Sequence, residues 1–303
     1  MIKENQRAEL LSGAYGLVRE NVPLSTLTTF HLGGPCELLI EVTLEKEALR
    51  TIRYLRGNGI PFTILGNGSN TLVRDGGIDG VVVKMGQAFS DVTVDGNIVC
   101  AQAGALLSKV AQTSFRAGLT GMEELAGIPG SVGGGVIMNA GAYNKEMKDV
   151  VRSVRAINRE GSIVTLPPEE MAMGYRTSRM MQEGMVVTEL EFALTPGDPE
   201  KIREKAQDYA QRRSSKQPLE KYSAGSTFKR PTGHFAGQLI QEAGLRGYTV
   251  NDAQVSEKHC GFVINNGNAT AKDVLAVISH VQETVKEKFD IELETEVRII
   301  GKE

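Results

Sequence analysis

Apolar positions recur at helical spacing in "EKEALRTIRYLRGNG" (45–59), at Ala48, Leu49, Ile52 and Leu55, and predict a helix that Gly57 to Gly59 can end. "IPFTIL" then reads as a short buried strand that "GNGSN" breaks, and "GVVVKM" (80–85) as another. "DVTVDGNIVCAQAG" alternates apolar and polar residues around Asp95-Gly96, which predicts a hairpin. "LLSKVAQTSFRAG" (106–118) returns to helical spacing, with Gly118 placed as its C-terminal cap. A second hairpin is expected in 150–166, turning at Arg159 to Gly161, and a strand in "MVVTELEFAL" (185–194).

"TPGDPE" (195–200) reads as a boundary. Beyond it three amphipathic helices are expected: "PEKIREKAQDYAQRRS", "HFAGQLIQEAG" (234–244) and "AKDVLAVISHVQETVKEKF" (271–289). The last is apolar at Val274, Leu275, Ile278, Val281 and Val285. "CGFVIN" (260–265) and "EVRIIG" (296–301) read as strands. The pattern predicts an α+β chain with a smaller C-terminal domain.

Composition narrows the class. The 303 residues carry 34 cationic and 37 anionic side chains, a formal charge of −3. That balance argues against non-specific nucleic-acid binding, which needs a basic face, but leaves room for a local cationic pocket. The start, "MIKENQRAEL", lacks a signal peptide's apolar core, and no run of about 18 apolar residues predicts a membrane span. Cys36, Cys100 and Cys260 are odd in number and far apart, which suggests buried thiols in a reducing cytoplasm and no zinc site.

Two of the glycine-rich stretches suggest chemistry. In "LGNGSN" (65–70) and "GIPGSVGGG" (127–135), backbone N–H groups can converge on an anion because no side chain blocks the approach. Asn67, Ser69, Asn70 and Ser131 add short polar side chains. Neither stretch is a Walker A loop, and Thr71 spoils G-x-G-x-x-G after Gly66 and Gly68. Each alone reads as a tight turn. Together they favour a dinucleotide pyrophosphate.

Ser226, in "KYSAGSTFKRP" (221–231), is not in a G-x-S-x-G elbow, and none of the four histidines sits in a triad signature. It is a turn residue or a proton donor; the second role needs a strongly basic carbon or oxygen held against it. Arg176, beside Tyr175 in "GYRTSR" (174–179), offers a planar fork for a carboxylate or a surface ion pair. Glu296 begins the final strand, as a functional acid or an exposed strand end. Lys216, Lys229 and Arg230 could neutralise a diphosphate or form a solvated cationic loop.

From "LSTLTTFHLGG" (24–34) to "EVRIIG", the chain resembles the UDP-N-acetylenolpyruvoylglucosamine reductase family, in particular its shorter second type. The resemblance rests on the ordered segments "LGNGSN", "GIPGSVGG", "NAGAY", "GYRTS", "AGSTFKRP", "AGQLIQEAGLRGY", "AQVSEKHCGFVIN" and "EVRIIG". It implies a two-lobed FAD-binding module of the vanillyl-alcohol-oxidase type plus a substrate domain. Lobes are expected over 1–85 and 86–198, a substrate domain over 199–295, and a terminal strand, 296–303, returning to the first lobe or the domain junction.

The resemblance also implies FAD and NADPH, a small-molecule substrate and no obligate protein partner. Cofactor contacts are expected from Gly66, Asn67, Gly68, Ser69, Asn70, Gly127, Ile128, Pro129, Gly130, Ser131, Gly134 and Asn139. Substrate contacts are expected from Tyr175, Lys216, Lys229, Arg230 and Gln238. Arg176 and Glu296 match the family's catalytic arginine and glutamate, and Ser226 its proton donor. Four positions depart from the family's pattern: His31 replaces Arg or Lys, Asn144 replaces Gly, and Tyr222 and Thr295 each replace Pro. The competing readings are a flavin-dependent oxidase on the same module and a non-enzymatic nucleotide-binding module.

Overall fold

A computed structural model describes residues 2–303. The chain forms two compact units. The first comprises residues up to Glu20, Leu38–Asn67 and Gly80–Arg212; the second Asn21–Glu37, Gly68–Asp79 and Arg213–Glu303.

Two sheets lie wholly or mainly in the first unit. One runs in the order Leu17–Pro23, Pro35–Glu41, Ile78–Lys84, Phe62–Leu65, with the last two strands parallel. The other, Ile163–Leu166, Val151–Ile157, Val186–Ala193, Ile98–Gln102, Val92–Asp95, is antiparallel throughout. The expected helix spans Glu45–Gly57 and buries Ala48, Thr51, Ile52 and Leu55. Glu47 satisfies the free N–H groups at its start, accepting from Thr43 N at 2.8 Å and Leu44 N at 3.2 Å. One apolar cluster, from Leu38 and Ile52 to Val154 and Phe192, serves both sheets. Burying each large aliphatic side chain contributes about 1.5–3 kcal/mol.

The first hairpin forms one residue later than Asp95-Gly96 suggests. Asp95 pairs with Ile98, so Gly96 and Asn97 make the turn. Gly96, at φ 57, takes the first central position, which needs a positive φ. "GIPGSVGGG" is not all loop: Val132–Ile137 is a short helix. Leu17–Pro23 and Pro35–Glu41 were not expected from the pattern. The former is mostly exposed and does not alternate.

The expected boundary at 198/199 moves to 212/213. Helix Pro199–Lys216 is tied into the first unit by Lys205 Nζ to Glu124 Oε1 at 2.9 Å and by Tyr209 Oη to the same oxygen at 3.2 Å. The two sheets share one core, and 21–37 and 68–79 belong to the second unit.

The second unit packs helices Ala236–Glu242 and Ala271–Phe289 with the antiparallel sheet Thr249–Val250, Ala253–Val255, Val263–Asn265. The long helix starts at a capping box. Thr270 Oγ1 accepts from Asp273 N at 3.1 Å, and Asp273 Oδ2 accepts from Thr270 N at 2.8 Å. Asp75 takes the next two N–H groups, Ala271 at 2.9 Å and Lys272 at 3.0 Å. The terminal strand Arg298–Ile300 returns in parallel to Thr71–Val73.

Candidate active site

In the first unit the two glycine stretches meet. A Cβ on Gly66 would lie 2.4 Å from Ser131 Oγ, so any larger residue there would force the Ser131 side chain to move. Ser131 is 2 % exposed and precedes the Val132–Ile137 helix without capping it through its side chain. Its Oγ is buried and has no hydrogen-bond partner. Buried hydroxyls rarely stay unpaired, so this one marks a place where a ligand group fits. Leu107 N to Gly130 O at 3.0 Å and Val132 N to Ala105 O at 2.8 Å fix the segment on either side.

The glycines divide by role. A Cβ on Gly133 would lie 2.8 Å from Ala103 Cβ, and one on Gly135 3.3 Å from Leu107 Cδ1; both serve close packing. Gly134 is exposed, and its nearest neighbour would be Ser131 Oγ at 3.6 Å. Gly127 and Pro129 are also exposed, and Ile128 is half-buried. Asn139, expected to touch cofactor, has its side chain engaged within the protein. Nδ2 donates to Glu146 Oε2 and to Gly174 O, both at 3.0 Å, and Oδ1 accepts from Lys148 N at 3.1 Å.

Gly174 opens the turn that carries Tyr175 and Arg176. Gly174 and Thr177 exchange N–H···O bonds of 3.1 and 3.3 Å. Arg176 sits at φ 55, a left-handed conformation costing a non-glycine residue about 1–2 kcal/mol. Its guanidinium carbon lies 4.9 Å from the centre of the Tyr175 ring, and Tyr175 is 49 % exposed. Backbone strain held in place by surrounding bonds is a mark of functional turns.

In the second unit, Ser226 and Glu296 lie on adjoining segments. Glu296 N donates to Thr227 O at 2.8 Å, Phe228 bridges Thr295, and Lys229 N donates to Glu294 O at 2.9 Å. Thr227 is buried between them. Its N–H reaches Gly261 O at 2.8 Å, and its Oγ1 accepts from Val263 N at 2.9 Å. Gly225, at φ 74, makes the bend that leaves Ser226 half-buried. Asn70 holds the other side, with Nδ2 donating to Glu296 O at 3.2 Å and its carbonyl accepting from Arg298 N at 3.0 Å. Gly68 is a packing glycine, since a Cβ there would lie 2.3 Å from Leu27 O. Ser69 is half-buried in the adjoining turn.

Two of the departures from the family's pattern touch each other. The His31 and Tyr222 rings stack at 4.0 Å, 24° from parallel, next to the bond from Thr29 Oγ1 to Ser223 O at 2.6 Å. Thr295 forms the bridge to Phe228, and Asn144, at φ 64, occupies the turn after "NAGAY".

The expected substrate cations differ in freedom. Lys229 Nζ pairs with Glu294 at 2.8 Å, and the Arg230 guanidinium carbon lies 4.6 Å from the Phe235 ring centre. Lys216 is exposed at a helix end, and exposed Gln238 donates to Glu242 at 2.8 Å. Among the described residues no group of His, Cys, Asp and Glu could hold a metal ion. The three cysteines are free thiols, and among the described residues no helix is long and apolar enough to cross a membrane. Sequence reasoning missed Lys84, whose ammonium donates to the Gly66 carbonyl. A lysine ending a strand carries no signal by which to find it.

The comparisons agree with this geometry. An FAD binding domain family matches residues 36–167, and the family UDP-N-acetylenolpyruvoylglucosamine reductase, C-terminal domain, matches 217–300. The orphaned Ser131 hydroxyl and the close approach at Gly66 fit such a cofactor. UDP-N-acetylenolpyruvoylglucosamine reductase of Clostridium perfringens is 52% identical over 281 residues, covering 93% of this chain and 92% of its own. The Clostridium tetani protein of that name is 48% identical, covering 94% and 93%. The crystal structure of the Thermus caldophilus reductase superposes with a TM-score of 0.81 at 37% identity, covering 93% of this chain and 99% of that one. This chain therefore belongs to the UDP-N-acetylenolpyruvoylglucosamine reductase family.

Proposed function

We propose that this chain reduces the enolpyruvyl ether of UDP-N-acetylglucosamine to the lactyl ether, UDP-N-acetylmuramate, a precursor of peptidoglycan, in the cytoplasm. Bound FAD supplies the hydride after reduction by NADPH. The protein's own residues make the enol ether able to accept it. The Arg176 guanidinium holds the substrate carboxylate, where negative charge grows as hydride reaches the terminal methylene. Charge also builds on the neighbouring carbon, which is basic enough to take a proton from the Ser226 hydroxyl. No histidine base is required. Glu296 acts on the same carboxylate, as an acid or through a shared proton. Tyr175, Lys216, Lys229, Arg230 and Gln238 are the proposed substrate contacts, and Ser131 with the glycine stretches the proposed pyrophosphate cradle.

The observation that supports this reading is the Glu296 N–H bond to the Thr227 carbonyl, which joins the backbone segments that carry Ser226 and Glu296. Ser226→Ala tests it. Flavin reduction by NADPH should proceed near the normal rate, while reoxidation by the enolpyruvyl substrate falls about 100-fold or more, the usual scale of general-acid catalysis. Equal slowing of both steps would sink the assignment.

A further inference from the structure

We propose that Lys84 is a cofactor-positioning residue: its ammonium fixes the Gly66–Asn67 peptide so that the Asn67 N–H faces the FAD pyrophosphate. The inference rests on the reading of the two glycine stretches as the pyrophosphate cradle.

Lys84 ends the strand Ile78–Lys84 and pairs in register with Leu65, the last residue of the parallel strand before the first glycine stretch. Strand geometry therefore places it one residue from Gly66. Its side chain turns back so that Nζ donates to the Gly66 carbonyl. The side chain is half-buried, and no carboxylate stands within salt-bridge distance of it among the described residues. Burial lowers its pKa, and the nearby Glu41, which pairs with Arg19 at 3.6 Å, acts in the opposite direction. A half-buried ammonium bonded to a neutral carbonyl, with Glu41 nearby but not in ion-pair contact, leaves room for a further anion.

Peptide geometry supplies the direction. The Gly66–Asn67 bond is trans, so its carbonyl and its N–H point in opposite directions within the peptide plane. Holding the carbonyl with Lys84 aims the Asn67 N–H away from the strand. That N–H has no acceptor in the protein among the described residues. The α-carbon of Gly66 meanwhile faces the orphaned Ser131 Oγ. Gly66 thus joins this cation, through its carbonyl, to the Asn67 N–H and the Ser131 hydroxyl, two donors without protein partners among the described residues. Removing the cation frees this peptide to rotate and withdraws positive charge from beneath the cradle.

The test is the dissociation constant for FAD, read from the fluorescence of flavin released on serial dilution of the purified holoprotein. Lys84→Met keeps the length and removes the charge. It should weaken FAD binding about tenfold or more, the scale for losing a charged hydrogen bond. Lys84→Arg should restore most of the affinity. Ser131→Val is the control for the cradle. If Ser131→Val weakens FAD and Lys84→Met does not, the role of Lys84 is refuted and the cradle stands. If neither changes affinity, the cradle reading fails and this inference with it. Should Lys84→Met fail to fold, Lys84→Gln decides by the same measurement. A Lys84→Gln protein with normal FAD affinity overturns the proposal.

Discussion

Asn139 is fully buried, left-handed at φ 42, and joins three separate backbone or carboxylate groups. Its place in "NAGAY" suggests the cofactor, but its bonds lead to Gly174 and so to the Arg176 turn. Asn139→Ala should cost about 1–3 kcal/mol in a urea titration, because the Lys148 N–H and Gly174 carbonyl lose their buried partner. It should also slow flavin reoxidation more than flavin reduction, since Arg176 is proposed to act in the later step. A second residue-scale test uses pH. Burial, then the hydrogen bond to Glu9 at 2.7 Å, push the Tyr15 phenol up to about 12 from 10.0. A raised pKa means that the fold favours the neutral form. This contribution is full below pH 10 and is lost as pH climbs through about 12. Tyr15→Phe should flatten the fall in melting temperature across that window.

The capping box at Thr270 and the packing glycine at 133 show what single elements depend on. Thr270→Ala removes the acceptor for Asp273 N and the partner of its carboxylate, and should cost about 1 kcal/mol by denaturant midpoint. Gly133→Ala drives a methyl to 2.8 Å from Ala103 Cβ and 3.0 Å from its carbonyl. Overpacking of that kind costs about 1–3 kcal/mol. The long helices were legible because Ile52 and Leu55, or Val274, Ile278, Val281 and Val285, recur on one buried face. The Leu17–Pro23 strand was not, because it is mostly exposed and shows no alternation. Nor was the helix at Val132–Ile137, since three successive glycines read as loop until Ala103 and Leu107 are seen against two of them. Helix Pro199–Lys216 was legible as a helix but not as part of the first unit. Its attachment runs through Glu124, Lys205 and Tyr209, which no periodicity joins.

Across the molecule, the residues proposed for the chemistry divide between the two units. Gly66, Lys84, Ser131 and Arg176 belong to the first, and Ser226 and Glu296 to the second. Motif order along the chain made most of these residues recognisable. The partners that hold them, Thr227 behind Ser226 and Asn139 behind Arg176, became visible only with the fold. The account makes the reaction two separable steps on one flavin. The most direct test follows the visible spectrum of the purified protein under anaerobic conditions. NADPH is added first and the enolpyruvyl substrate second. Bleaching of an oxidised flavin band by NADPH and its full return with the substrate is the predicted result. Bleaching without return would contradict the proposed substrate, and a protein that neither carries nor takes up FAD would contradict the site itself.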